Sequence, residues 1–480
     1  MTGLATLAMS GCGNQYRPVV SAINPVGPAG QPTKYAVAVS NTSNYGSAPL
    51  PGLVTFVDVS GDTILSTPSI LPFPAPTTPG TATTAPTPSY VNPLDFTINL
   101  GGTEGFVVNS SGAFDLFPLG NPTTLLTQNI TQTTLASNAV PNGIQTFSLP
   151  STGTTLFVNQ PSLNQIAELE LSTGPSLLQN LSVPNPVYVV GTDSAQRVYA
   201  LSSNGASAGT AYPIENTPVS IDSGNLIPVG VNPVYGMMTA DGNRAFVLNQ
   251  GNGTISVINV PNNGLDTGVG AGPNLGTIVL PTPSGSSAPN PVWADLSTVN
   301  SELVVLNQGD GVHPGSLSII NIPLCNVNTP VTNPDCDPAN PVDAAGFGNI
   351  VATVPVGVNP TEVSVLADGS RAYVVNSGTL PSGTSAGVEG SVSVVNLINE
   401  QVTTIPATSA PAATVNVSTS PTMVYGHPNT VAATTGTPTG KVYVTSTDNK
   451  YMTIIETDTD TVDTHISLQG LGIRVMVTAK

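Results

Sequence analysis

Short apolar stretches that end in Asn or Ser recur along the whole chain. The clearest copies lie at 106–109, 156–159, 199–202, 246–249, 304–307, 373–376 and 443–446, and a looser copy lies at 38–41. Successive copies begin 43 to 70 residues apart. Repeats of about 40–50 residues that hold several short strands are typical of β-propeller blades. The pattern therefore predicts a propeller, with the longer intervals as loop insertions.

The sequence around each copy predicts three further strands. An Asn-Pro pair precedes an apolar strand, as at Asn232-Pro233 and Asn359-Pro360, and Pro suits a strand entrance because no ladder hydrogen bond is lost there. An Asp-Gly hairpin signal follows, as at Asp241-Gly242. Alternating strands such as 254–259 and 276–280 come after the motif. Each repeat is thus a four-stranded antiparallel sheet, and stacking the sheets in a ring buries both faces of each.

The two ends of the chain predict how the ring closes. The first repeat offers only three strands, near 35–40, 54–59 and 63–70, and the chain ends with a spare strand of the first type at 472–478. Placing that strand in the first blade leaves no open sheet edge. We therefore predict one all-β propeller over 34–480 with eight blades, or seven if the segment 210–227 merges into a neighbour or the looser copy at 38–41 is not a repeat. A Pro/Thr-rich connector spans 66–93.

One repeat carries a family resemblance. Tyr373-Val-Val-Asn376, preceded by 368–372 and followed by 391–396, resembles the YVTN β-propeller repeat family, and the resemblance covers roughly residues 35–478. Members of that family occur in bacterial and archaeal surface-layer and envelope proteins, and similar propellers include lactonase-like enzymes. The motif residues are structural, so the resemblance implies a fold and transfers no catalytic residue.

Composition restricts the possible partners. Charged residues make up only 8% of the chain, and nine basic against 27 acidic residues give a net charge of −18. So few Lys and Arg residues cannot neutralise a row of phosphates, which argues against nucleic-acid binding. The same shortage argues against adhesion to anionic lipid through a basic patch.

The three cysteines suggest export. Residues 1–12 resemble a truncated lipoprotein signal in which Cys12 is lipidated, although a basic n-region is missing and an incidental thiol in an N-terminal stub is the alternative. Residues 13–33 would then be a tether to a bacterial membrane. Cys325 and Cys336 bracket one loop and are predicted to form a disulfide, which fits the same oxidising compartment.

The candidate chemistry is sparse. The three histidines, His313, His427 and His465, lie in different repeats, and no metal, haem or phosphate-binding motif is present. We therefore expect no metal and no cofactor. Loops on a rigid scaffold are where binding residues collect, so the loop with Asn307, Asp310 and His313 is the candidate binding rim. Oxygen atoms of the turn 307–311 could hold Ca²⁺, but its Asn and Gly residues fit an ordinary hairpin.

Two functions follow from these observations. The first is a membrane-tethered, monomeric envelope propeller without enzymatic activity, which binds or scaffolds an extracellular protein or glycan. The alternative is a lactonase-like hydrolase with its site in the central channel. The two differ in one feature: a hydrolase should bring acidic, His or Arg side chains together in the channel.

Overall fold

In the part of the chain that the structure describes, β-strands form eight sheets arranged as the blades of a ring. The computed structural model describes residues 34–41, 52–65, 70–72, 93–99, 101–110, 112–120, 131–135, 140–149, 153–171, 176–193, 195–270, 272–323, 346–382, 386–408, 422–434, 440–468 and 470–478. These residues contain two short 3₁₀ turns, Pro161–Leu163 and Gly272–Asn274, and no α-helix. The all-β propeller prediction is confirmed.

Blade 1 combines strands from both ends of the chain, and blades 2 to 4 are each formed by consecutive strands. Blade 1 contains β1 (Tyr35–Asn41), β2 (Leu53–Asp58), β3 (Thr63–Ile64), β4 (Ile70–Pro72) and β36 (Leu471–Val477). Blade 2 contains β5 (Pro93–Ile98), β6 (Glu104–Asn109), β7 (Ala113–Pro118) and β8 (Thr131–Thr134). Blade 3 contains β9 (Gly143–Leu149), β10 (Gly153–Gln160), β11 (Gln165–Glu170) and β12 (Ser176–Ser182). Blade 4 contains β13 (Pro186–Val190), β14 (Arg197–Asn204), β15 (Ser207–Asn216), β16 (Val219–Ile221) and β17 (Ile227–Val231).

The other four blades follow in chain order. Blade 5 contains β18 (Pro233–Met238), β19 (Arg244–Asn249), β20 (Thr254–Asn259), β21 (Gly264–Leu265) and β22 (Thr277–Val279). Blade 6 contains β23 (Pro291–Ser297), β24 (Glu302–Asn307), β25 (Pro314–Asn321) and β26 (Ile350–Val358). Blade 7 contains β27 (Pro360–Val365), β28 (Arg371–Asn376), β29 (Ser391–Asn396), β30 (Val402–Thr408) and β31 (Val424–Tyr425). Blade 8 contains β32 (Pro428–Ala433), β33 (Lys441–Ser446), β34 (Tyr451–Glu456) and β35 (Thr461–Ser467).

The last strand closes the ring as the sequence predicts. Strand β36 pairs antiparallel with β1, with Val37 opposite Met476 and Val39 opposite Arg474, and it becomes the innermost strand of blade 1. Because β1 is thereby covered, blade 1 has no open inner edge. The propeller has eight blades rather than seven, because residues 210–227 belong to blade 4, together with β13 and β14, and do not merge into a neighbouring blade. Of the predicted connector, Ile70–Pro72 form β4, and 66–69 and 73–92 lie outside the described residues, as do 1–33.

The hydrophobic core lies between blades rather than within one. Alternate residues of each second strand point to opposite neighbours: Tyr373 and Val375 pack against blade 8, whereas Ala372 and Val374 pack against blade 6. Eight such clusters of buried residues join the eight neighbouring pairs, including blades 8 and 1. Each blade therefore depends on both of its neighbours for burial.

The Asn that ends the motif is a buried structural residue. The side-chain amide of Asn376 donates to the hydroxyls of Ser391 and Ser393, each at 3.0 Å, on the adjacent third strand. Asn249 makes equivalent bonds to Thr254 and Ser256. The amide of this Asn thus supplies hydrogen bonds to buried hydroxyls on the next strand, which would otherwise have fewer partners.

Candidate functional site

A cavity of about 390 Å³ lies at the centre of the ring. Residues of all eight innermost strands, β36, β5, β9, β13, β18, β23, β27 and β32, contribute to its lining. Small-molecule sites in proteins typically occupy about 300–1,000 Å³ and combine apolar walls with a few polar groups. The central channel is therefore the candidate site.

The strand register identifies one equivalent position in seven of the innermost strands, which we call the ring position. Each residue there follows a register shift and pairs with the second strand, as Asp95 pairs with Val108, Glu362 with Val375 and Arg474 with Val39. The ring-position residues are Arg474, Asp95, Tyr188, Tyr235, Trp293, Glu362 and Thr430. A register shift precedes each of them, and such bulges re-aim side chains near functional sites.

Three ring-position side chains form a charged arc over blades 7, 1 and 2: Glu362, Arg474 and Asp95. Arg474 Nη1 donates to Asp95 Oδ1 at 3.0 Å, and Arg474 Nη2 lies 3.9 Å from Glu362 Oε1. A third carboxylate, Asp295, also lines the cavity from β23. Among the described residues, Arg474 is the single basic residue that lines the cavity. Carboxylates therefore outnumber cations in the channel.

Two of these carboxylates also join neighbouring blades. Asp95 Oδ2 accepts from the backbone N–H of Ile144 at 3.1 Å, on the innermost strand of blade 3. Asp295 Oδ2 accepts from the backbone N–H of Val365 at 2.8 Å, on that of blade 7. Both residues therefore combine a structural role, as acceptors for the next blade, with a place in the channel lining.

An aromatic arc faces the cavity from blades 4, 5 and 6, and consists of Tyr188, Tyr235 and Trp293. The ring centroids of Tyr188 and Tyr235 are 4.8 Å apart, and those of Tyr235 and Trp293 are 4.2 Å apart and nearly parallel. The Arg474 guanidinium carbon lies 5.1 Å from the Trp293 ring centroid, within cation–π range. Arg474 therefore connects the charged arc to the aromatic arc.

Burial tunes the ionisation of these groups. Burial raises the pKa of Glu362 to about 7; Arg474 opposes this rise, and the carboxylates of Asp95 and Asp295 add to it. For Arg474, burial alone would lower the pKa, but Asp95 and Glu362 outweigh burial and raise it above its ordinary value. Burial raises the pKa of Tyr188 to about 12. At neutral pH Arg474 is therefore a cation and the tyrosines of the aromatic arc are uncharged. Glu362 is divided between its protonated and ionised forms.

The structure places the predicted rim residues in two different environments. Asn307 is fully buried, and its amide donates to Ser316 and Ser318 at 3.2 and 2.8 Å. Asp310 and His313 lie in the exposed turn that follows, where His313 Nδ1 and Asp310 Oδ2 are 2.7 Å apart. Hydrogen bonds from the backbone and side chain of His313 hold the pKa of Asp310 well below its usual range. Asn307 therefore faces the blade interior and not the loop surface.

The other predicted histidines, His427 and His465, do not line the channel. Cys12, Cys325 and Cys336 lie outside the described residues. His427 is paired with Asp448 at 2.6 Å, and His465 stacks on Tyr425 with centroids 4.0 Å apart. Across the described ranges, no group of three or more His, Cys, Asp or Glu side chains is placed to hold a metal ion. The described segments contain no helix that is long and apolar enough to cross a membrane.

The sequence search missed the charged and aromatic arcs, although a signal was present. Five of the innermost strands share an Asn-Pro entrance, and in each of them the residue two places after Pro is the ring position: Asp95, Tyr188, Tyr235, Trp293 and Glu362. A comparison of repeats identifies the residues that recur, whereas the residue at the ring position differs from blade to blade. Variation at one register of an otherwise repeated strand is the signal that would have identified them.

Comparisons with known proteins support the fold alone. No family model matches the chain, and no curated protein does, so the YVTN resemblance remains a prediction. The chain is similar to the structure of apo AztD from Citrobacter koseri, with 9% identity, a TM-score of 0.52, and coverage of 92% of this chain and 97% of that one. It is also similar to a putative 6-phosphogluconolactonase from Bacteroides fragilis, with 12% identity, a TM-score of 0.50, and coverage of 94% and 99%.

A third similar structure has a different activity. Dihydro-heme d1 dehydrogenase NirN, solved in complex with DHE, matches with 11% identity, a TM-score of 0.54, and coverage of 93% of this chain and 75% of that chain. At these identities the three likenesses share an architecture and not a site. Function must therefore be argued from the channel itself.

Proposed function

We propose that this protein is a cell-envelope propeller that binds an extracellular glycan in its central channel. The observation that carries the proposal is the meeting of Asp95, Glu362 and Arg474 with the aromatic arc around one cavity of about 390 Å³. Carboxylates accept hydrogen bonds from sugar hydroxyls, a guanidinium donates them, and aromatic rings supply apolar surface. A cavity of this size accommodates one or two sugar units rather than a folded partner.

The test uses a built-in reporter, because Trp293 is the single tryptophan of the chain and it lines the channel. Purified protein is titrated with oligosaccharides from bacterial envelopes while tryptophan fluorescence and binding heat are measured. The proposal predicts a saturable fluorescence change with the same midpoint as the heat. Binding heat without any change at Trp293 would contradict a channel site.

A lactonase-like hydrolase is the second candidate, and two observations favour it. Asp95, Glu362 and Arg474 meet in the channel, which is the feature expected of a hydrolase. Glu362, whose pKa burial raises to about 7, lies 3.9 Å from Arg474, and a general base works best when its pKa is near the working pH. The likeness to a putative 6-phosphogluconolactonase is consistent with this role. Acid release from sugar lactones, lost in Glu362→Gln and retained in Glu400→Gln, would support hydrolysis. Binding of intact sugars with no acid release supports the glycan-binding function.

Envelope attachment is part of the same proposal and is supported by the sequence around Cys12. Lipidation at Cys12 would hold the propeller at the membrane surface, where its channel meets extracellular glycans. Fatty-acid labelling in a bacterial host should mark the natural full-length chain and not Cys12→Ser. Equal labelling of both would contradict lipidation at this position.

A further inference from the structure

The charged arc contains a gap whose two sides have opposite hydrogen-bonding capacity. Arg474 Nη2 and Glu362 Oε1 are 3.9 Å apart, too far for a direct hydrogen bond. A guanidinium can only donate, and an ionised carboxylate can only accept. Both side chains line the cavity, with 22% of Arg474 and 10% of Glu362 exposed. A ligand atom placed here must therefore accept from one side and donate to the other.

A hydroxyl group meets both requirements. Its oxygen accepts from Arg474, its hydrogen is donated to Glu362, and two hydrogen bonds of about 2.8 Å that meet at one oxygen easily span the gap. We propose that the channel selects uncharged, hydroxyl-bearing sugars by bridging Arg474 and Glu362 with one ligand hydroxyl. This inference rests on the proposed glycan-binding function and specifies the charge of its ligand.

Charged sugars fit the gap less well. An ammonium group cannot accept from Arg474, and Arg474 already occupies the position where a cation would meet both Trp293 and Asp95. A carboxylate cannot donate to ionised Glu362, and it would face Asp95 and Asp295 as well. At the gap itself, each charged group thus loses one hydrogen bond and meets a like charge, Arg474 for the ammonium group and Glu362 for the carboxylate. The excess of carboxylates in the rest of the channel lowers this cost for the ammonium group only.

The acidity of Glu362 predicts how this selection changes with pH. Glu362 is surrounded by Arg474 from β36, Asp95 from β5, Asp295 from β23, and the uncharged Tyr188 and Tyr235. Once Glu362 is protonated, it can donate to a ligand carboxylate. Discrimination against acidic sugars should therefore weaken below pH 7, whereas discrimination against amines should persist.

The experiment compares three sugars that differ at one carbon. Trp293 fluorescence is titrated at pH 8 with glucose, 6-amino-6-deoxyglucose and glucuronate, and with the three galactose counterparts. In whichever series binds more tightly, glucose or galactose, the uncharged sugar should bind at least about tenfold more tightly than either charged sugar. Lowering the pH to 5.5 should reduce the penalty for the uronate only.

Two variants identify the residues responsible. Glu362→Gln should bind the uronate more tightly at pH 8 and lose the pH dependence, while Arg474→Met should lose the uncharged sugar. Glu400→Gln, the same change in an exposed turn of blade 7, should behave as the natural protein. If saturable binding occurs with equal or tighter affinity for the charged sugars, the charge selection is overturned and glycan binding stands. If none of the six sugars perturbs Trp293, glycan binding in the channel fails as well.

Discussion

The second strand of each blade resembles its neighbours, whereas the innermost strand differs from them at one position. Second strands repeat three apolar residues followed by Asn or Ser, and in β28 and β19 the terminal Asn is fully buried. Seven of the eight innermost strands share the bulge and six begin with Pro, yet their ring position varies from Arg to Asp, Tyr, Trp, Glu and Thr.

This difference separates scaffold from chemistry. Residues that must satisfy the same blade-to-blade contacts are the same in most blades, because every blade solves the same packing problem. Six of the ring-position residues line the central cavity, where no two need to be alike. In this propeller, departure from the repeat therefore marks the candidate site.

Removing the innermost strand of blade 1 should have the largest effect. Deletion of 471–480 exposes the edge of β1 and opens the cluster between blades 8 and 1. We expect the melting temperature to fall by more than about 10 °C, measured by calorimetry, while deletion of 479–480 leaves it nearly unchanged. An unaltered melting curve for the longer deletion would contradict ring closure by β36.

Replacing Glu362 should change how stability depends on pH. Its folded pKa, about 7, lies above the ordinary value of 4.5, so its contribution to stability is complete below about pH 4.5 and is lost as pH rises through 7. The neutral Glu362→Gln should match the natural protein at pH 4 and exceed its unfolding free energy by up to about 3 kcal/mol at pH 8.

Urea unfolding across this range measures the difference, with Glu400→Gln as the control in the same blade. If the natural protein is as stable as Glu362→Gln at pH 8, burial at the ring position does not destabilise the ionised Glu362 carboxylate.

Breaking a repeated position should cost less and should not depend on pH. Asn376→Ala removes the donor to the hydroxyls of Ser391 and Ser393 and should lower the unfolding free energy by about 1–2 kcal/mol. Asn262→Ala, in an exposed turn, is the control and should have little effect. If Asn376→Ala instead abolished sugar binding without loss of stability, the assignment of motif Asn residues to the scaffold would be wrong.

Changes in the rim turn should have the smallest effect. Asp310 and His313 are paired with each other in an exposed loop. Asp310→Ala should leave the affinity of the channel for sugars unchanged in the Trp293 titration. A loss of affinity comparable to that of Arg474→Met would extend the site from the channel to the rim.

Sequence reasoning recovered the fold because repetition encodes it directly. Asn-Pro entrances, Asp-Gly turns and the spare strand at 472–478 fix strand order and ring closure, and each is visible without coordinates. The candidate site was not recovered in this way. Arg474 and Asp95 are 379 positions apart and meet only because the ring closes between them. The sequence also indicated Asn307 as a residue of the binding rim, but this Asn is buried and belongs to the repeated packing.

A crystal structure of the protein soaked with its preferred uncharged sugar tests the central claim most directly. The account predicts sugar density in the channel against the aromatic arc, with one hydroxyl between Arg474 Nη2 and Glu362 Oε1. Sugar bound only outside the channel, at the turn of Asp310 and His313 or along an outer strand, would contradict it.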